Sequence, residues 1–292
     1  MAAKNRKIAY QGEPGANSHI ACMEARPDHE PLGCRTFEDA FAAVASGDAA
    51  LAMIPIDNTV AGRVADIHHL MPSSDLYITG EHFLRVRHQL LVLPGTRAEQ
   101  LKRVTSHIHA LGQCRRMIAE MGLEAVAAVD TAGAAAALAR SGDRSTAVIA
   151  SKKAAEIYGL EVMRADIEDE DHNTTRFVIL AAKPDDAAPE DGPVITSFIF
   201  TVRNVPAALF KAMGGFATNG VNMIKLESYV DGSFNVAQFY ADIEGHPQER
   251  SVRLALEELD FFTSSLRVLG VYKSSPHREE LARRRKQMDT TA

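Results

Sequence analysis

The chain has 292 residues, 46% hydrophobic and 24% charged, a globular composition that excludes wholesale disorder and a coiled coil. At about 150 residues per domain, that length predicts two domains, with core enough to need no disulfide staples. Thirty-two Lys and Arg against 38 Asp and Glu leave a net charge of −6, which argues against sequence-independent binding of nucleic acid. No apolar run approaches the roughly 18 residues of a membrane span. The start, MAAKNRKIAYQG, lacks the apolar stretch of a signal peptide. Cys22, Cys34 and Cys114 are odd in number and lack CxxC spacing, so the reading is a reducing cytoplasm without a disulfide frame or zinc knuckle.

Lys7 to Gln11 reads as a strand, residues 12–17 as a turn, and Ser18 as the cap of a helix running to about Ala25. Thr36 opens TFEDAFAAVASG as a cap, with Asp39 in place of the usual Glu of a capping box. Phe37, Phe41 and Val44 form a stripe, and Gly47 stops the helix. The strand ALAMIPI follows, then a helix predicted from Thr59 to about Leu70. Ala135 to Gly142 reads as a helix and Ala147 to Ala150 as the next strand. The Ser-Gly-Asp of 46–48 recurs at 141–143, which suggests two lobes of related build, parallel-type sheets and a small-molecule cleft between them. KPDDAAPEDGP at 183–193 is a linker by its prolines and acids.

Beyond it, ITSFIFTVRN is a strand. A helix opens on Pro206 and stops at Gly220, and two strands flank a hairpin turn at Asp231-Gly232. Another helix opens on Pro247 with Val252, Leu256, Leu259 and Phe262 on one face, and SLRVLGVYK is the last strand. This βαββαβ order is the split-βαβ, ferredoxin-like sandwich, whose edges invite pairing with a second copy. The tail HREELARRRKQMDTTA reads as a solvated or frayed end.

Four stretches carry candidate chemistry. Gly12, Gly15 and Ser18 between a strand and a helix make either an anion cradle or a tight turn with a cap. The absent GxGxxG argues against NAD. In PIDNTVAGRV, Asn58 or Thr59 can cap the predicted helix, Gly62 lets a ligand approach its first turn, and Arg63 adds charge. A binding role is favoured over a plain turn. Ser106 reads as a helix cap with Gln113 two turns on. His107-x-His109 does not put two imidazoles on one helical face, and His68-His69 reads as helix surface, so no metal is expected. After the acidic turn IEDEDH, Thr175 and Arg176 fall on opposite faces of a strand, one toward a cleft and one toward a partner carboxylate.

In this order, QGEPGANSHIA, TFEDAFAAVASG, PIDNTVAGRV, HQLL, VTSHIHALGQC, DTAGAAA, IASKKAAEIYGL, IED…NTTRFVIL and NVPAALFKAMGGFATNGVNMIKLES resemble prephenate dehydratase with a C-terminal ACT domain, over about residues 6–275. The resemblance implies conversion of prephenate to phenylpyruvate, water and carbon dioxide in phenylalanine biosynthesis, without metal or organic cofactor. The implied fold is an α/β two-lobed catalytic unit, periplasmic-binding-protein type II-like, followed by an α+β ferredoxin-like ACT domain. The catalytic domain would span 6–182, with lobe 1 at about 6–82 and 160–182 and lobe 2 at about 83–159. The ACT domain would span 194–275 and the tail 276–292.

The resemblance assigns catalysis to Thr175, Asn58 and Gln113, with Thr175 donating to the departing hydroxyl. It puts Ser106, Thr59, Gly62, Arg63, Arg176 and Ser18 at the substrate. Ala207, Ala208, Leu209, Asn222, Glu227 and Ser228 would bind L-phenylalanine as an allosteric inhibitor, in a homodimer or homotetramer built through the ACT domain. The family usually has Glu-Asn-Ser at 57–59, Ser-His-Pro-Gln at 106–109, Pro-Gly-Ala-Leu at 206–209 and Glu-Ser-Arg-Pro at 227–230. This chain has Asp-Asn-Thr, Ser-His-Ile-His, Pro-Ala-Ala-Leu and Glu-Ser-Tyr-Val there. Arogenate dehydratase and a non-catalytic amino-acid sensor are the alternative readings. Partners are small molecules and a second copy, with no nucleic acid or membrane.

Overall fold

The computed structural model describes residues 6–64, 67–203, 205–230 and 237–289. In chain order the elements begin β1 (Lys7–Gln11), α1 (Asn17–Ala25), β2 (Glu30–Cys34), α2 (Phe37–Ser46), β3 (Leu51–Asn58), β4 (Gly62–Arg63), α3 (Ile67–Ser73) and β5 (Tyr77–Arg85). They continue with β6 (Gln89–Val92), β7 (Arg103–His107), α4 (Ile108–Gly112), α5 (Arg115–Glu120), β8 (Glu124–Ala128), α6 (Thr131–Ser141), β9 (Thr146–Ala150), α7 (Lys152–Tyr158), β10 (Glu161–Arg164) and β11 (Thr174–Ala181). The last are β12 (Val194–Val202), α8 (Ala208–Thr218), β13 (Met223–Val230), β14 (Ala237–Glu244), α9 (Arg250–Phe262), β15 (Thr263–Lys273) and α10 (Pro276–Asp289). By contact density the chain divides into two units, Met1–Ile67 with His82–Phe177, and His68–Glu81 with Val178–Ala292.

Strands β1 to β11 form two sheets. One runs β2-β1-β3-β11-β5 with β4 hung on β3, and the other runs β10-β6-β9-β7-β8. β1 pairs β2 and β3 in parallel, and β7 pairs β8 and β9 in parallel, as the strand–helix rhythm requires. Both sheets are nonetheless mixed, because β4 meets β3 antiparallel in the first and β6 meets β9 and β10 antiparallel in the second. β10 therefore joins the second sheet, although it lies past the expected end of lobe 2 near 159. Ile8, Met53 and Ile54 are fully buried in the first sheet, and Leu90, Val104 and Ile149 in the second.

Local signals act as read at several ends. Thr36 and Asp39 make a reciprocal capping box, and Gly47 closes α2 in the left-handed conformation. Gly142 closes α6 in the same way. Helix α6 starts earlier than expected, at Thr131, because the Asp130 carboxylate accepts from Gly133 N at 2.6 Å.

Other expectations are corrected. Ser18 does not cap α1; the cap position is Ala16, with no side-chain bond, and the Gly15 N–H donates to His19 Nδ1 instead. Gly12 N donates to Cys34 O and Ala16 N to Glu13 O, so these two amides are spent on the turn. Gly15 must be glycine for two reasons. Its φ is +92°, and a Cβ would stand 2.7 Å from Ala154 Cα in α7. No helix starts at Thr59; the chain turns back through 59–61 into β4, and α3 begins at Ile67. Ser106 lies within β7, not at a helix cap, and His107 caps α4.

In the second unit the element order is the split-βαβ order, with all pairs antiparallel and strands ordered β13-β14-β12-β15. Helices α8 and α9 bury Ala212, Phe216, Val252 and Leu259 against Phe198, Phe200 and Phe239 of one sheet face. Stacked rings at 5.1–6.0 Å between centroids add to the burial. Helix α8 begins at Ala208, after Pro206, because a turn closed by Ala208 N to Val205 O comes first. Helix α9 begins at Arg250, since His246 Nδ1 accepts from Gln248 N and the Glu249 carboxylate from His246 N, holding Pro247 in a turn. The Asp231-Gly232 turn lies outside the described residues.

The 183–193 segment is bonded along β15, with Ala187 N donating to Val271 O and Val271 N to the Asp186 carboxylate. Over residues 276–289 the tail is not frayed. It forms α10, and Arg278 makes a bidentate ion pair at 2.7 and 2.8 Å with Glu81, whose side chain is fully buried. No helix of the described residues is long and apolar enough to cross a membrane.

Candidate active site

Three segments far apart in sequence meet where β3, the α4–α5 junction and the start of β11 converge. At the end of β3, Asn58 Oδ1 accepts from Val60 N (3.0 Å) and Ala61 N (2.7 Å), an Asx turn. Asn58 thus accepts at i+2 and i+3 as a helix cap would. The chain turns back instead, because β4 pairs Gly62 with Asn58 and Arg63 with Asp57, and Gly62 supplies φ +82°. Thr59 locks the turn to β11: its N–H donates to Thr174 O, its hydroxyl to His172 O, and its oxygen accepts from Thr174 N at 2.9 Å.

Those backbone amides fix the polarity of every amide in the cluster. Val60 and Ala61 N–H can only donate, so the Asn58 atom facing them is oxygen. Asn58 Nδ2 then donates to Thr175 Oγ1 at 2.9 Å and Asn173 Oδ1 at 2.8 Å. Asn173 Nδ2 donates to Gln113 Oε1 at 2.8 Å. Because Gln113 Oε1 is an acceptor, His88 must carry its proton on Nε2, 2.8 Å away. Burial holds the His88 pKa below its ordinary value, which keeps the ring neutral, against the smaller opposing pulls of Gln113 and Glu168.

Two groups leave this chain with donors to spare. Thr175 Oγ1 is an acceptor from Asn58, and its own proton has no acceptor among the described residues. Both hydrogens on Gln113 Nε2 are in the same position. The acidic turn supplies the frame. Glu168 accepts from His88 N, Ile167 N donates to His88 O and Asp169 N to Gln113 O, while the Asp169 carboxylate accepts from Arg115 N and Arg116 N at the start of α5.

The structure thus brings together Asn58, Thr59, Gln113 and Thr175. Arg176, buried on the opposite face of β11 from Thr175, lies 3.8 Å from the Asp57 carboxylate. Gly62 and Arg63 are exposed in β4. Ser106 is fully buried and donates to Ile149 O at 2.6 Å, within its own sheet rather than in the cluster. Ser18 is buried in the first turn of α1. Sequence reasoning did not single out His88, Asn173 or Glu168; the only signals were a polar pair, His88-Gln89, ahead of the apolar run Leu90–Val92, and acids before NTTRF. Among the described residues no group of three or more His, Cys, Asp or Glu could hold a metal ion.

A partly buried set of neutral donors, with one hydroxyl proton and one amide pair unsatisfied, suits an anionic substrate whose leaving group must take up a proton: lyase chemistry. The prephenate dehydratase family matches residues 8–185, and the chain belongs to that family. The chain is 47% identical over 276 residues to the bifunctional N-acyl-homoserine lactone acylase/prephenate dehydratase of Komagataeibacter europaeus, covering 94% of this chain and 98% of that protein. It is 40% identical to arogenate dehydratase/prephenate dehydratase 6, chloroplastic, of Arabidopsis thaliana, over 93% of this chain and 70% of the other. Among solved structures, prephenate dehydratase of Arthrobacter aurescens in complex with L-Phe superposes with a TM-score of 0.85 at 26% identity, covering 98% of this chain and 99% of that one. A structure described as GqqA, a quorum-quenching acylase, superposes with a TM-score of 0.88 at 47% identity, over 94% and 100% of the two chains.

Proposed function

We propose that this hydro-lyase converts prephenate to phenylpyruvate, water and carbon dioxide, with Thr175 donating to the departing hydroxyl. The bond from the ring to its carboxylate breaks, releasing carbon dioxide. Its electron pair completes the aromatic ring as the C4–oxygen bond breaks, and the departing oxygen takes a proton and leaves as water. Hydroxide is a poor leaving group, so a hydrogen bond that strengthens as negative charge grows on that oxygen lowers the barrier. The observation that carries this reading is the Thr175 hydroxyl, accepting from Asn58 Nδ2 and holding an uncommitted proton. Accepting one hydrogen bond polarises the O–H and makes it a better donor. Gln113 Nε2 offers two more hydrogens for a substrate carboxylate or carbonyl.

Thr175→Ala is expected to lower kcat by about 10² or more with a small change in KM, and Thr175→Ser to keep most of the rate. Steady-state formation of phenylpyruvate measures both, and near-wild-type turnover by the alanine variant removes Thr175 from the mechanism. The arogenate dehydratases among the relatives support the amino analogue as a second substrate, which parallel assays on the two compounds decide. The acylase activity in the name of the 47% identical relative calls for the same preparation to be offered an N-acyl-homoserine lactone.

The C-terminal βαββαβ part reads as an ACT domain that binds L-phenylalanine and inhibits, in a homodimer or homotetramer. Support comes from the strand order and from the L-Phe in the Arthrobacter aurescens structure. Ala207, Ala208 and Leu209 open α8, Asn222 donates to Glu244, and Glu227 and Ser228 lie on β13, with Glu227 3.2 Å from Lys225. A cytoplasmic location belongs to the same reading, supported by three free cysteines.

A further inference from the structure

We propose that His88 is a positioning residue that aims Gln113: its Nε2–H, together with the Asn173 amide, holds the Gln113 oxygen inward so that both Nε2 hydrogens are left for the substrate. The inference rests on the dehydratase reading and deepens it at the same site.

A glutamine side chain has two faces of opposite character, and an unrestrained carboxamide can present either. At Gln113 the choice is made by two donors converging on one oxygen, His88 Nε2 and Asn173 Nδ2, each at 2.8 Å. Flipping the amide would set N–H against N–H twice. The Asn173 donor is oriented by Asn58, and Asn58 by the amides of Val60 and Ala61, so the same chain of bonds orients Thr175 and Gln113. His88 closes the far end of this chain.

Its own placement is rigid. The side chain is buried, and its backbone is tied on both sides, His88 N to Glu168 and His88 O from Ile167 N. The 167–169 segment also bonds the Gln113 carbonyl through Asp169 N at 2.7 Å, so donor and acceptor are held by one short stretch of chain. A neutral imidazole with its proton on Nε2 is all the geometry requires, and protonation at Nδ1 would leave this bond in place. His88 therefore acts through Gln113 and not as an acid or base.

The test is a double-mutant cycle on prephenate turnover with the full chain. His88→Leu is expected to lower kcat/KM by about 10- to 100-fold, and His88→Gln, whose Nε2 reaches the place of the imidazole Nε2, to recover most of that loss. In a Gln113→Ala background, His88→Leu is expected to cost less than about twofold more, because the group it aims is gone. The pH profile of kcat/KM for His88→Gln should keep the acid limb of the wild type. Additive losses in the cycle, an acid limb that disappears in His88→Gln, or no rescue by glutamine would each overturn the inference. Where His88→Leu fails to fold, the glutamine variant and its pH profile still decide it. Wild-type enzyme in the same assay separates the two claims, since failure to form phenylpyruvate sinks the dehydratase reading itself.

Discussion

Asn58 uses both halves of its carboxamide, the oxygen for two backbone amides of its own turn and the nitrogen for Asn173 and Thr175. Asn58→Asp keeps the size and the turn but replaces a donor with a charged acceptor facing Asn173 Oδ1 and Thr175 Oγ1. We expect kcat to fall by about 10² while the protein stays folded, measured by turnover alongside circular dichroism; an unchanged rate would contradict the polarity drawn here. Protonation at the residue scale also sets acid stability. Burial is the first cause lowering the pKa of His19, His88 and His107 beneath the ordinary 6.5. A depressed folded pKa means the unfolded chain binds more protons in acid. The stabilisation is therefore complete above about 6.5 and is lost as pH falls through the folded values. The urea midpoint should drop between about pH 7.5 and 5.5, and a midpoint that rises with acid would refute the assignment of these rings as neutral in the fold.

Among the elements, helix α8 starts under strain. Ala207 occupies its N-cap with φ 59° and ψ 24°, left-handed values that cost an alanine about 1 kcal/mol. Ala207→Gly removes the Cβ clash but loosens the unfolded chain, so the expected net gain is about 0.5 kcal/mol, read from chemical denaturation. A loss of stability on that substitution would mean the methyl packs favourably. The short β4 shows the reverse case, an element that local signals misassign. Asn58 and Gly62 are compatible with a helix start or a hairpin, and pairing with the neighbouring strand selects the hairpin.

For the whole molecule, the second unit joins residues 68–81 to the C-terminal part through closely fitted contacts. A Cβ on Gly270 would run into the Ile78 backbone, and Arg267 donates to the carbonyls of Ser74 and Leu76. The Glu81–Arg278 pair ties α10 to β5 in the same unit. With the Glu81 side chain fully buried, Arg278→Ala leaves its carboxylate the Ser275 N–H but takes away the guanidinium, and we expect a loss of about 3 kcal/mol in unfolding free energy. Denaturation in urea checks this, and a change below about 0.5 kcal/mol would show that the pair contributes no net stability.

Local chemistry made much of the fold legible in advance. The Thr36–Asp39 box, the glycine stop at 47, the apolar runs of β3 and β9 and the stripe of α9 depend on neighbours within one or two turns, and they formed as their spacing required. Asn58, Gln113 and Thr175 were legible through the motifs they sit in. What joins them was not. The bonds between residues 58, 88, 113 and 173–175 cross many intervening residues, and a hydrogen bond of that kind leaves no periodicity behind. Only the packed chain could decide which atom of Gln113 faces inward, that the 59–63 segment is a hairpin, that Ser106 serves its own sheet, and that the charged tail is a docked helix.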